Sequence, residues 1–260
     1  TGRAARLGAW VGSEIVDMNA AYHTMLVDQG KDALFAERYA AAVMPADMVG
    51  FFRAGDLGLE EGYRLLEWMQ LRGGERGLRG AQLVYGLDHI KLLSPVTRPA
   101  SIRDFSTFEQ HQKRATKAKG SSEVPQVWYE IPVYWKANPE NVIGTGEDIL
   151  WPAYTEKLDF ELELGAFIGK KAKDIPLEEA HTYIAGYTIF NDISARDHQA
   201  REMVMTFGPA KGKDFDTSKV LGPCVVTADE FGTASRRMQT RVNGETWSDG
   251  MSGDMYWSFD

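Results

Sequence analysis

Two neighbouring stretches, LDFELELGAFIG and YIAGYTIFND, limit the folds open to this chain more than any other part of it. In the first, apolar and acidic residues alternate. A β-strand therefore places Leu158, Phe160, Leu162 and Leu164 on one face and Asp159, Glu161 and Glu163 on the other. The second is apolar on both faces and reads as a buried strand with Asp192 at its end. A short helix-like link joins the two. Carboxylates gathered beside a buried strand repel one another and are relieved by a hard cation, for which an all-oxygen set selects Mg²⁺, Ca²⁺ or Mn²⁺ over zinc. The same alternation also fits a solvated sheet edge, so the pattern leaves a ligand set and a surface strand both open.

Around this pair the chain reads as α+β and β-rich, in two parts. Residues 1–85 form a small α+β domain in this reading: RLGAWVGSEIVDMN gives two strands turned at Gly12-Ser13, and helices follow. One is expected over residues 32–43, with Leu34, Phe35, Tyr39 and Val43 at helical spacing. Another is expected over 59–71, with Tyr63, Leu66 and Met69, capped by Asp56 and closed by Gly73-Gly74. Residues 86–260 are assigned to a β-rich catalytic domain. HIKLLSPV is a strand candidate, SIRDFSTFEQHQKRATKAKG a strand end running into a polar helix or loop, and WYEIPVYW a β-prone run that Pro132 keeps from being a long helix. NVIGTGEDILWP and GKDFDTSKVLGPCVVT supply further strands, and Asn243-Gly244 marks a hairpin. The sequence stops on MYWSFD, an aromatic, strand-like run in which Ser258 is placed as a helix N-cap, so this domain is expected to continue.

A net charge of −8 over 260 residues argues against a nucleic-acid partner. No apolar run approaches a membrane span or a signal-peptide core, and Cys224 alone supports neither an intrachain disulfide nor a zinc–thiolate site. A cytoplasmic protein is the expectation. GPAKGKDFDT fails as a phosphate loop because three residues, not four, separate its glycines and Asp214 follows the lysine. Gly144-Thr145-Gly146 lacks the third glycine of a dinucleotide fingerprint, and no serine sits in a nucleophile elbow. In NDISARDHQ, Asp192, Arg196 and Gln199 place a ligand, a cation and an amide donor on one loop or helix start; an Arg196–Asp197 surface pair is the alternative. Among the histidines, His111 stands out, seven residues after Asp104 in a polar stretch.

ELELGAFIGK, IAGYTIFNDISARD and GPAKGKDFDT together resemble the fumarylacetoacetate hydrolase family, in its order and spacing, over roughly residues 93–257. The resemblance implies a mixed β-roll, preceded here by the small N-terminal domain of longer members. It also implies a divalent cation, Mg²⁺ first and Ca²⁺ or Mn²⁺ as alternatives, and a homodimer. Its activity would be hydrolysis of a C–C bond in a small β-dicarbonyl acid, acylpyruvate- or fumarylacetoacetate-like, of the kind met in aromatic-compound catabolism. Decarboxylation, hydration or isomerisation of a 2-oxo acid on the same metal, or an inert member, are the alternatives. Carried over by residue, Glu161, Glu163 and Asp192 match the metal ligands, and Asp104 joins them through DFSTFEQH, which is similar to the fumarylacetoacetase branch. His111 matches the general base, and Arg196, Gln199 and Lys213 match the groups that hold the oxyanion. Thr217, Tyr134 and Lys136 match substrate-contacting positions. Acylpyruvase-like members carry a Glu three residues after their histidine; Arg114 stands there in this chain. In the fumarylacetoacetase branch a C-terminal Glu orients the histidine, and it is expected beyond the sequence given.

Overall fold

The structure is a computed structural model and describes residues 5–118, 120–121, 123–205 and 207–259. The chain divides into two compact units, residues 1–92 with 169–171, and residues 93–168 with 172–260.

In the first unit, β1 (Gly8–Val11) and β2 (Glu14–Asp17) form the expected hairpin, Val11 opposite Glu14, with Gly12 in the left-handed region at the turn. Three helices follow: α1 (Met18–Asp28), α2 (Ala33–Val43) and α3 (Met48–Arg72). The strand β3 (Val84–Gly86) then returns to pair with β2. Asp32 caps α2 by accepting from the backbone N–H of Leu34 and Phe35. The inward face of α2 differs from the expected one. Ala36, Ala40 and Val43 are buried, whereas Leu34, Phe35 and Tyr39 are exposed. Tyr22, Met25, Met44 and Leu65 already fill the interior, and only small side chains let α2 approach them. The third helix also starts earlier than its periodicity suggests. Its N-cap is Asp47, accepting from Gly50 N at 2.8 Å, and Gly55 (φ 58°) kinks it immediately before Asp56. Gly73, at φ 66°, ends it as expected.

In the second unit, β4 (Ile102–Phe105) leads into α4 (Glu109–Ala118), and β5 (Tyr134–Ala137) pairs antiparallel with β4. Two-residue strands β6 (Val142–Ile143) and β7 (Leu158–Asp159) precede the long β8 (Leu162–Ile168) and β9 (Ile184–Asp192). Then come β10 (Ser194–Ala195), α5 (Arg196–Glu202), β11 (Lys219–Thr227), α6 (Ala228–Phe231) and the hairpin β12 (Arg237–Val242)–β13 (Glu245–Met251). The main sheet runs β6-β11-β9-β8, parallel only between β6 and β11. Asn243 and Gly244 both adopt positive φ, as the hairpin turn requires.

Three expectations need correction. Residues 90–101 carry no strand. The chain instead runs tightly past Gly144, where a Cβ would lie 2.4 Å from Ser94 N, and Ser94 Oγ turns onto Val96 O. The strand β9 is buried on one face only. Its other face carries Tyr187, covered by the rings of Phe231 and Phe259, and Ile189, which is 57% exposed. The aromatic run at residues 255–259 forms no strand. Tyr256 and Trp257 pack instead on Trp128, Tyr129 and each other, and Tyr256 N–H donates to Thr107 O at 2.8 Å. Among the described residues no helix is long and apolar enough to cross a membrane.

Candidate metal centre and active site

The alternating stretch is not one strand. Residues 160–161 interrupt it, so that β7 pairs with β10 while β8 pairs with β9. Asp159 therefore leaves the acidic face to hold Arg196, whose Nε donates to Asp159 Oδ2 at 2.7 Å. Glu161 and Glu163 remain beside Asp192, the last residue of β9. Asp104 arrives from β4, and oxygens of all four carboxylates lie within 4.8 Å of one another. Asp192 is fully buried.

Cations enter from three directions. Lys213 Nζ stands 2.5 Å from Glu161 Oε2, 2.7 Å from Asp192 Oδ2 and 3.8 Å from Asp104 Oδ2. Its turn is seated tightly on α5: a Cβ on Gly212 would lie 2.7 Å from the backbone of Gln199, and Ala195 N donates to Gly212 O. Arg196 Nη1 donates to Glu161 Oε1 at 2.6 Å and to Gln199 Oε1 at 3.1 Å. Lys219, fully buried, donates to Asp192 Oδ1, to Lys213 O and to Ser218 Oγ. Trp135 closes the group. Its indole N–H donates to Asp104 Oδ2 at 2.5 Å, and its ring lies 5.5 Å from Lys213 Nζ and 5.2 Å from Lys219 Nζ.

Burial pushes Asp104 up to about 7, against the pull of Lys213. Burial also drives Glu163 well above the carboxylate range, and Asp104, Asp192 and Glu161 add to the effect. For Glu161 burial acts the same way but loses: Lys213 and Arg196 hold it down at about 2. Burial lowers Lys213 less than Asp192, Glu161 and Asp104 raise it, so its ammonium is held charged; burial pulls Lys219 down despite Asp192. Four carboxylates thus face three cations, and Glu163, among like charges, is the one left without its own. Hard oxygen donors with this deficit fit a divalent cation such as Mg²⁺ or Mn²⁺.

The remaining predicted residues divide. His111 lies on α4; its surface is open to solvent, yet enough protein surrounds the ring that desolvation lowers its pKa. Glu161 opposes that shift, while Arg196 and Lys213 add to it. Among the described residues no carboxylate is hydrogen-bonded to it. Gln199 is held by Arg196. Thr217 adopts φ 66°, unusual for a β-branched residue, and its Oγ1 accepts from Leu150 N at 2.8 Å. Tyr134 and Lys136 are not brought to the cluster. They project from the opposite face of β5, opposite Phe105 and Arg103, and are exposed. Trp135 between them turns inward. Trp135 and Lys219 are thus the two members of the cluster absent from the predicted set. The available signal for Lys219 was its place immediately before the apolar run VLGPCVV, where a solvated lysine is out of character.

Comparison with known proteins agrees with this geometry. The family profile described as "Fumarylacetoacetate (FAA) hydrolase C-terminal" matches residues 100–260. An oxaloacetate tautomerase of Bacillus subtilis is 28% identical over 92% of this chain and 77% of its own length. For three other relatives, two uncharacterized proteins of Pyrococcus abyssi and Pyrococcus horikoshii and an oxaloacetate tautomerase of Homo sapiens, the chain spans 55–61% of their length. Among solved structures, a fumarylacetoacetate hydrolase of Exiguobacterium antarcticum superposes with a TM-score of 0.64 over 96% of this chain and 73% of that one. At 22% identity it speaks for the fold alone. A fumarylpyruvate hydrolase of Pseudomonas aeruginosa, in complex with Mn²⁺ and pyruvate, is 26% identical, with a TM-score of 0.52 over 62% of this chain and 69% of that one.

Proposed function

Because this chain belongs to the fumarylacetoacetate hydrolase family, we propose that it is a divalent-metal-dependent enzyme that interconverts the keto and enol forms of a small 2-oxo dicarboxylic acid of the oxaloacetate class. What supports this reading is the likeness to an oxaloacetate tautomerase over 92% of this chain, together with the four-carboxylate cluster; beside it burial lowers the pKa of His111, while Asp192, Glu161 and Asp104 keep Lys213 an ammonium. Such a pair suits proton abstraction next to a carbonyl.

In this reading Asp104, Glu161, Glu163 and Asp192 hold the cation, Mg²⁺ or Mn²⁺ by the donor chemistry. When bound, that ion supplies Lewis-acid attraction for the carbonyl and carboxylate oxygens of the acid. His111 takes the proton from the carbon beside the ketone. Lys213 and Arg196, the latter braced by Gln199, hold the charge that develops on the ketone oxygen, a contribution of about 3–4 kcal/mol for one well-placed donor. Returning the proton to that oxygen gives the enol, with no atoms gained or lost. Thr217, through Leu150 N, is assigned to shaping the substrate side, and the homodimer of the family is retained as part of the reading.

Hydrolysis of a C–C bond is the second reading, favoured by the likeness to a fumarylpyruvate hydrolase. It asks more of the site, because His111 would have to be oriented to activate water. No carboxylate does this among the described residues, and one turn along α4 stands Arg114. Decay of the enol absorbance of freshly dissolved oxaloacetate with Mn²⁺ present tests the choice. Catalysed equilibration is expected, with His111→Ala slower by about a hundredfold or more. Acylpyruvate cleavage into two acids, with oxaloacetate untouched, would establish the hydrolase instead.

A further inference from the structure

Lys219 is no part of the set that the family resemblance carries over, yet it is among the most buried charged side chains of the chain. Its surroundings fix its state. Nζ has three acceptors, Asp192 Oδ1, Lys213 O and Ser218 Oγ. The Ser218 hydroxyl spends its own proton on Lys213 O, at 2.8 Å, so its oxygen can only accept from Lys219. Three acceptors require three N–H donors, which only the ammonium form offers. The Trp135 ring, 5.2 Å away, covers it as a cation–π partner. In the β-ladder Lys219 lies directly opposite Asp192, so the pair is set by strand register and not by a mobile loop.

This ammonium bonds one oxygen of Asp192, while the other faces Lys213. We propose that Lys219 is a positioning residue that trades cation affinity for anion affinity. It weakens divalent-ion binding by the four carboxylates and cancels the negative charge of the loaded centre that would repel a dianionic oxo acid. The charge count supports this. With all of them ionised, the four carboxylates and Asp159, which shares Arg196, set five negative charges against Lys213, Lys219 and Arg196, and a divalent ion brings the centre to zero. With Lys219 neutral, the same ion leaves one net negative charge, which repels a dianionic acid. Lys213 is shared with the proposed chemistry, but Lys219 sits behind Asp192 and acts only through its charge and its hold on that carboxylate.

The inference rests on the metal-dependent reading above, and the experiment separates the two. Mn²⁺ is titrated into wild type, Lys219→Met, Lys219→Gln and Lys219→Arg, with the free ion followed by electron paramagnetic resonance. Oxalate is then titrated calorimetrically into each Mn²⁺-loaded protein. The neutral variants are expected to bind Mn²⁺ at least about tenfold more tightly and oxalate at least about tenfold more weakly, because a buried charge a few ångströms away is poorly screened. Lys219→Arg, which keeps the charge, should follow wild type. A merely structural lysine would not tighten metal binding. Unchanged or weaker Mn²⁺ binding by a folded Lys219→Gln overturns the proposal while leaving the metal centre standing. Wild type that binds no Mn²⁺ overturns both. If neither neutral variant folds even with Mn²⁺, the lysine is a structural requirement and the trade is likewise refuted.

Discussion

In the first unit the buried Asp17 and Thr24 serve the backbone beside them, and the ion pair of Asp17 is with the exposed Arg6. Asp17 caps α1 by accepting from Ala20 N at 3.0 Å, and Thr24 donates its hydroxyl to Ala20 O at 2.9 Å. In the second unit Asp192, Lys213 and Lys219 serve one another, across segments 21 and 27 residues apart. Local caps can be deleted one at a time, each at about 1 kcal/mol. A mutual charge network cannot, because removing one member strands the others in a medium that solvates charge badly. The first unit is built for persistence. The second gives up part of that persistence to keep ionised groups ready.

The sharpest way to break this contrast is Asp192→Ala. It leaves two buried ammonium groups without their common partner, and a loss of about 3–5 kcal/mol in urea unfolding is expected, together with loss of Mn²⁺ binding. A loss below about 1 kcal/mol would remove the distinction between the regions. Leu65→Ala probes the other side. Leu65 is fully buried in the first unit's apolar cluster, so about 2–5 kcal/mol should be lost through the cavity, with Mn²⁺ affinity of the folded protein unchanged.

The pH dependence should set the regions apart more gently. Asp104 is raised to about 7 when no metal neutralises the cluster, and Glu161, held at about 2, stays ionised throughout. A carboxyl with a raised folded pKa favours the folded state below its unfolded pKa. That advantage is lost as pH climbs through the folded value. In EDTA the melting temperature should therefore fall between about pH 4 and 7. With saturating Mg²⁺ the trend should reverse, because metal binding displaces the protons. A first-unit cap gives the smallest effect: Asp47→Ala should cost about 1 kcal/mol in thermal melting without touching metal affinity.

What could be read from the sequence follows the range of the interactions involved. The Gly12-Ser13 and Asn243-Gly244 turns and the Gly73 stop depend on residues a few positions apart, and they are where the pattern places them. The period-2 alternation put Asp159, Glu161 and Glu163 on one face, and the family resemblance picked out Glu161 and Glu163 with Asp192. The interruption at residues 160–161 was invisible because alternation continues through it while the pairing partner changes. Lys219 was missed for the same reason, since its meaning depends on a ladder to a strand 27 residues away. Trp135 was hidden in an aromatic run where every residue fits a strand and only the inward face matters. In α2, hydrophobicity pointed to the large side chains. Helix proximity favours alanine, and packing volume decided the face.

The direct opposition of Lys219 and Asp192 across β11 and β9 has a consequence for how the chain finds its fold. Sliding one strand past the other by a single residue turns every side chain to the opposite face. Here that slip would leave a lysine or an aspartate buried against apolar neighbours, at a cost that no misaligned contact offsets. The pair therefore penalises a shifted register of β11 on β9.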